Sequence, residues 1–535
     1  MNRSTEVPEF IEIALAVPPG QLVQYNHANL VSALRPYGVT DPACVMVETD
    51  GAGGALLTVY RRPPLENLPE VRPADLVMDN DGYITVGRYH DGEPARMRLY
   101  VPGSGAQRAA IFGTTGAGKS RVLHLLLAAE KRSGIVSWLA DLKQGGQSVP
   151  EARGQVDVRV TTPEGAILLL QAGLWDAEDR MRRYAEMGRS AFVINRPDPL
   201  LSLRIDEVNR LLGPVCPYRN CGAHYISEIG RAGRSVGEGI SISGQAAHVE
   251  ELGGSDTLRS MLREGDTVLL RWSSGVMASL VSDGLLPGDA HLVPIPRQFG
   301  NRQLISRFDR SNARPTGAST GGMAYLLGGP RPNSLMRFSR VGSLGEVDGM
   351  DPEILALYGT GEPARLHQHA PELTDWYKLA RTEGAIDEIA ASLPVLAANL
   401  MTEQRGLGKD QALQAAAQHL VRTADSSYTI TPAGDEAAEA ADTFSPPAAE
   451  AMPAPQESVT PPVPPLLEED PAPQTAAARI TTALQGGPLD KQDIITALEN
   501  DGGRRISVSR VNTVLSELVR ANKITSPARG RYQLP

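Results

Sequence analysis

Ala109-Ala110-Ile111-Phe112-Gly113-Thr114-Thr115-Gly116-Ala117-Gly118-Lys119-Ser120 decides how the rest of this chain is read. The apolar run 109–112 predicts a buried strand. Gly113, Thr114, Thr115, Gly116, Ala117, Gly118, Lys119 and Ser120 then fill every fixed position of G-x-x-x-x-G-K-[ST], and 121–131 has helical character. Strand, glycine loop and helix together make a phosphate site. The glycines let backbone N–H groups close around a β-phosphate, and the helix start adds unpaired N–H groups and a positive dipole end. Lys119 is expected on the β/γ-phosphates of ATP, and the Ser120 hydroxyl on Mg²⁺.

The second landmark is Asp206-Glu207, at the end of the apolar run 200–205. In a chain with a phosphate loop, an acid there reads as a Mg²⁺ holder, Asp206, and the next one, Glu207, as the general base that polarises water. A glutamate beside the metal aspartate favours hydrolysis over transfer to a small acceptor. Arg204 is an unusual residue inside such a strand.

Strand and helix signals alternate from 109 to about 300, which predicts an α/β domain with a mostly parallel sheet. Strands are expected at 135–140, 156–160, 200–205, 240–243 and 266–272, and helices at 163–187 and 228–235. Residues 1–75 read as a small α+β unit, with a helix at 26–35 and strands at 43–48 and 55–61, and an assembly role. Strand signals at 83–88 and 96–100 lead into the phosphate-loop strand, within a P-loop domain read as 76–340. A helical extension covers 341–422, where Pro394 is expected to end or kink a helix. Residues 423–474 form an acidic Pro/Ala linker, expected to be disordered.

The formal charge of −10 misleads as an average. Ten acids and no Lys or Arg lie between Thr423 and Ala478, so the rest of the chain is net neutral. An acidic total therefore does not exclude nucleic acid as a partner. Residues 475–535 carry a net charge of +4 and read as three helices followed by a two-strand wing, a winged-helix module. Ser507, Ser509, Arg510, Asn512 and Thr513 would meet the major groove, and Arg529 and Arg531 phosphate or minor groove. The three cysteines, Cys44, Cys216 and Cys221, make no disulfide framework and suit a reducing cytoplasm. Cys216, Cys221 and His224 lack a standard zinc spacing; an exposed loop with reduced thiols is the simpler reading, with a metal left open. The apolar run near 11–18 is too short to span a bilayer. The expectation is a protein without a transmembrane segment, cytoplasmic and at most peripheral at a membrane.

Glu228-Ile229-Gly230-Arg231-Ala232-Gly233-Arg234-Ser235, running on to Gln245, resembles the FtsK/SpoIIIE family together with the phosphate loop and Asp141-Leu142-Lys143-Gln144-Gly145-Gly146. Within that family the chain looks most like the Tra-type conjugal transfer proteins of actinomycete plasmids and integrative elements. The lead-in from Tyr83 and Gly322-Met323-Ala324-Tyr325-Leu326 also fit. The resemblance implies a RecA-like P-loop ATPase fold and a homo-hexameric, ATP-driven translocase of double-stranded DNA acting in conjugation. It also implies contacts with membrane or transfer-apparatus proteins. Gln245 would then sense the γ-phosphate, and Arg231 or Arg234 would reach a neighbour's nucleotide. Ala246-Ala247 replace the family's usual Arg-Pro after that glutamine. The rival readings are an FtsK-like protein-secretion ATPase and a nucleotide-switched DNA-binding regulator or replication factor.

Overall fold

The computed structural model describes residues 8–16, 26–49, 54–245, 252–254, 258, 264–271, 292–300, 317–424, 476–500, 511, 514–515, 518, 524–528 and 531–533. The chain divides into two units, Met1–Ala433 and Gly434–Pro535.

The first unit opens with β1 (Phe10–Ala16), α1 (His27–Leu34), β2 (Val45–Thr49) and β3 (Gly54–Tyr60), and these strands form an antiparallel sheet in the order β1-β3-β2. β1 falls on the run read only as too short for a membrane. Then follow β4 (Tyr83–Tyr89), β5 (Pro94–Arg98), the short pair β6 (Tyr100–Val101) and β7 (Gly105–Ala106), β8 (Ala109–Gly113), α2 (Lys119–Arg132) and β9 (Val136–Asp141). β10 (Val158–Val160), α3 (Pro163–Glu186), β11 (Leu201–Asp206), α4 (Asn209–Leu212), α5 (Arg219–Val236), β12 (Glu238–Gly244) and β13 (Asp266–Leu270) come next. β14 (Met323–Leu327) and β15 (Leu335–Phe338) close the sheet's sequence.

The main sheet has ten strands in the order β10-β9-β11-β12-β8-β13-β14-β15-β4-β5. From β10 to β13 every neighbouring pair is parallel, and from β13 to β5 every pair is antiparallel. β8 lies inside the parallel part, so both its faces are covered. Ala110, Ile111 and Phe112 are all buried, which is why this strand is a continuous apolar run. Parallel strands deliver their C-terminal ends to one edge, and ligands bind there in open α/β sheets.

The N-terminal strands and the helices after β15 share the main core. Cys44, Met46 and Tyr60 belong to one hydrophobic cluster with Phe112, Trp138 and Leu203, and so do Trp376, Ile386 and Val421. Helices span Pro352–Tyr358, Thr374–Ala380, Ala385–Ala390, Leu393–Glu403 and Lys409–Thr423. The helix that starts at Ala385 ends at Ala390, before Pro394 as expected, and Pro394 then sits in the first turn of the next, Leu393–Glu403, where a missing N–H costs nothing. Ala385–Glu403 is long and apolar enough, by composition, to be weighed as a membrane span. Its Asp387 carboxylate accepts hydrogen bonds from the backbone N–H and hydroxyl of both Thr161 and Thr162. That places a negative charge at the start of α3, where the helix dipole favours it.

The Cys216–His224 stretch is mostly helix, not an exposed loop. α5 begins at Arg219, well before the expected 228, and Cys221 is fully buried in it. Among the described residues no group of three His, Cys, Asp or Glu side chains could hold a metal.

The second unit contains helices Ala476–Ala483 and Lys491–Asn500 and strands β16 (Leu489–Asp490), β17 (Thr525–Ala528) and β18 (Arg531–Gln533), in the order β16-β18-β17. Val511, Val514, Leu515 and Leu518 are helical and buried against Ile480 and Ile494. The strand β16 adds a third member to the expected two-strand wing. Residues 425–475 of the expected linker lie outside the described residues, as do Ser507, Ser509, Arg510, Asn512, Thr513 and Arg529. Arg531 is placed only by its backbone, paired with Asp490 and Ala528.

Arg204 has a partner in the core. Its Nε and Nη2 donate to Glu130 Oε1 at 2.8 and 2.6 Å, and Nη1 donates to Ser241 Oγ at 3.0 Å. Ser137 Oγ donates to the other Glu130 oxygen at 2.7 Å. This ties α2, the helix of the phosphate loop, to β9, β11 and β12 at the edge remote from the loop. Arg204→Ala strands a buried carboxylate and should cost about 3–5 kcal/mol, whereas Arg204→Met with Glu130→Leu should cost far less. Denaturant unfolding of the three proteins checks this.

Candidate functional site

β8 ends at Gly113, and the chain turns through Thr114–Gly118 into α2. Ala117 N–H donates to Thr114 O at 3.0 Å, closing the turn. Gly116 and Gly118 adopt φ of +75° and +105°, a region that L side chains rarely enter. A Cβ on Gly118 would also meet Gly322 N at 3.2 Å. Gly118 caps α2 without a side-chain hydrogen bond, so the first-turn N–H groups remain available to an anion. Lys119 and Ser120 open the helix.

Two strands along the sheet, β11 brings Asp206 and Glu207 to the same edge. Glu207 has a φ of +51°, strain for a non-glycine residue that is found at functional sites. Its Oε1 accepts a hydrogen bond from Lys119 Nζ at 2.7 Å, with both side chains only 11% exposed. A phosphate entering the loop competes with this carboxylate for the same ammonium group. Asp206 is 1% exposed. Its Oδ1 accepts from Ser243 Oγ on β12, while its Oδ2 is buried with no hydrogen-bond partner among the described residues. An orphaned carboxylate oxygen at the same sheet edge as the Ser120 hydroxyl that opens α2 suits Mg²⁺ with its water shell.

Asp141 pairs in register with Asp206 across β9 and β11. Burial, and to a lesser degree the Asp206 charge, raises its pKa, against hydrogen bonds from Val149 and Lys143 N–H groups. Asp141 also accepts from Ser148 N–H, so it shapes the 142–149 loop. Lys143 is exposed.

Gln245 stands exposed just after β12, at the same edge as the loop. Ala246-Ala247 lie outside the described residues. Arg231 and Arg234 lie elsewhere. They are near the C-terminus of α5, which feeds the start of β12. Seven residues of strand, about 20 Å, separate that end from the phosphate-loop edge. Arg231 Nη1 donates to Glu228 at 2.8 Å on an exposed face. Arg234 is half-buried, and its carbonyl closes on Gly105. Neither reaches its own chain's loop.

Sequence reasoning missed Ser243, which holds Asp206, and the segment after 317, which latches the loop from the other side. Gly322 N–H donates to Ala117 O at 2.9 Å. It also missed Arg271, just past β13, whose φ is +45°. An arginine ending the strand next to β8 was the available signal.

No protein-family model and no curated protein matches this chain. Solved structures do resemble it. The cytoplasmic domain of the Thermomonospora curvata type VII secretion ATPase EccC is 20% identical over 56% of this chain and 34% of its own length, with a TM-score of 0.38. The pCW3 conjugation coupling protein TcpA, solved with ATPγS, is 14% identical over 62% of this chain and 86% of its own, TM-score 0.41. VirB4 of Thermoanaerobacter pseudethanolicus is 11% identical over 50% and 98%, TM-score 0.30. The chain thus spans about a third of the EccC chain that it matches.

With Glu207 as the base, Glu207→Gln should retain ATPγS binding and lose at least about 100-fold in turnover. Equilibrium binding and phosphate release measure the two separately; normal turnover removes Glu207 from that role.

Proposed function

We propose that this chain is an ATP hydrolase that moves double-stranded DNA, the DNA of a plasmid or element during conjugation. The observation that carries the hydrolase part is the Lys119–Glu207 contact at 2.7 Å, formed between a complete phosphate loop and an acid two strands away. Backbone N–H groups of Gly113–Ser120 cradle the phosphates, and Lys119 reaches the β/γ end. Ser120 and Asp206 would hold Mg²⁺, which would supply positive charge to offset that of the phosphates. Glu207 takes a proton from the attacking water, and Gln245 responds to the γ-phosphate from the neighbouring strand. Arg231 and Arg234, remote from their own loop, serve only if another copy brings its nucleotide to them, which favours a ring such as a hexamer.

DNA as the cargo rests on the basic stretch 475–535 and on the family resemblance. The motor would grip backbone without sequence preference, and the tethered reader would select a loading site. Membrane or transfer-apparatus partners would place the ring. The full chain should show ATPase activity that rises with the length of added double-stranded DNA, and Lys119→Ala should abolish it. Turnover unaffected by DNA shifts the reading to a protein-secretion ATPase, and absence of sustained turnover to a nucleotide-switched regulator.

Lys119→Ala should leave sequence-selective DNA binding intact, because that binding is assigned to 475–535. Deleting 475–535 should remove the selectivity and keep basal ATPase. Competition binding at two salt concentrations separates selective from bulk electrostatic binding.

A further inference from the structure

Arg271 stands beside the phosphate loop, and no motif accounts for it. It follows β13, whose Leu270 pairs with Gly113 at the start of the loop. The left-handed backbone at Arg271 ends the strand there, and its N–H donates to Met323 O at 2.8 Å. The guanidinium lies over the loop. A methyl group placed on Gly116 would sit 3.7 Å from Nη1, and one on Gly321 would sit 3.7 Å from Nη2. Gly116 occupies a variable position of the motif, so the bare backbone there leaves the guanidinium uncovered.

Among the described residues the charge has no counterion. Arg271 is only 8% exposed. Nη2 donates to Ser319 Oγ at 3.3 Å, and Nε is buried with no partner among the described residues. No carboxylate pairs with it among those residues. Among the described residues the charges that bear on it are cations. Burial lowers its pKa, and the Arg297 charge adds to this. Arg337 also lies close: burial pushes its pKa down to about 10, with the Glu66 carboxylate opposing this and the Arg271 charge adding to it. Arg337 is already used, donating to the carbonyls of Gly321, Leu65, Glu66 and Ser319. A buried cation among cations is costly unless an anion completes the site.

We propose that Arg271 binds the phosphate chain of a nucleotide held by the same chain, from the side of the loop opposite Glu207. The proposal rests on the nucleotide reading of the loop. Gly116 lies in the part of the loop whose N–H groups face the α- and β-phosphates. Arg271 therefore contacts groups shared by nucleoside di- and triphosphates, unlike Lys119, which reaches toward the γ-phosphate.

Titration calorimetry of the full chain with ADP and with ATPγS, both with Mg²⁺, tests this. Arg271→Gln should weaken both nucleotides by a similar factor, at least about tenfold, and Arg271→Lys should recover part of the loss. Without nucleotide, the melting temperature of Arg271→Gln should equal or exceed that of the wild type, because an uncompensated charge has gone. Wild-type affinity in Arg271→Gln overturns the proposal, and so does lost affinity accompanied by a lower nucleotide-free melting temperature, which marks a structural role. A wild-type chain that binds neither nucleotide overturns the underlying reading of the loop instead.

Discussion

The constraint on which this molecule depends is the placement of β8 between β12 and β13 with its C-terminal end open. A parallel strand buried on both faces contributes no side chain to solvent, so chemistry is confined to where it stops. Everything assigned to the chain's own nucleotide meets that edge. The loop leaves β8 directly, Asp206 and Glu207 arrive from β11, and Ser243 and Gln245 arrive from β12. Arg271 arrives from β13, and Gly322 from the turn before β14. The register of five parallel pairs sets these distances. The two non-glycine residues with left-handed backbone at this edge, Glu207 and Arg271, flank the loop on opposite sides. Strain on both sides of one loop is what a site fixed for a ligand would hold.

The two carboxylates at this edge are set by the same packing. Glu207 meets Lys119 at 2.7 Å, so the ammonium group is compensated while it faces the loop. Asp206 keeps one oxygen on Ser243 and, among the described residues, leaves the other bare. A carboxylate with both oxygens satisfied by protein donors would have little left for a cation. One bound and one bare oxygen give orientation and capacity together.

Elements that follow one strong rule were legible in the sequence. The runs at β8, β9 and β11 are apolar because both sheet faces are covered, and α3 shows its Thr162 cap and first-turn Pro163. β15 was not legible, because Arg337 breaks its apolar run and finds carbonyl partners only once distant loops close around it. The first half of α5 was hidden by Gly222 and by a cysteine-containing stretch suggestive of a loop, yet Cys221 packs in the core. Within the site, the loop and the Asp-Glu pair were legible as motifs. Arg271 was not, since its meaning lies in which strand ends beside which, a property of sheet order and not of spacing.

Arginine, far commoner than lysine in this chain, has physical work in this fold. Arg180 is fully buried, with Nε on Asp176 at 2.7 Å and Nη1 on the Pro199 and Val236 carbonyls at 3.0 and 3.2 Å. Arg204 and Arg337 fill comparable positions. A guanidinium offers five donors in a plane and is weakly hydrated, so it can be buried where an ammonium would shed its proton. In each of these three cases carboxylates or carbonyls take donors of the guanidinium, although Arg180 Nη2 has no partner among the described residues. Arg271 breaks that pattern: it is buried like the others, yet among the described residues no carboxylate or carbonyl accepts from its guanidinium, and the charges of Arg297 and Arg337 bear on it. Of these four arginines, the one whose guanidinium has only a hydroxyl partner among the described residues is the one that overhangs the phosphate loop.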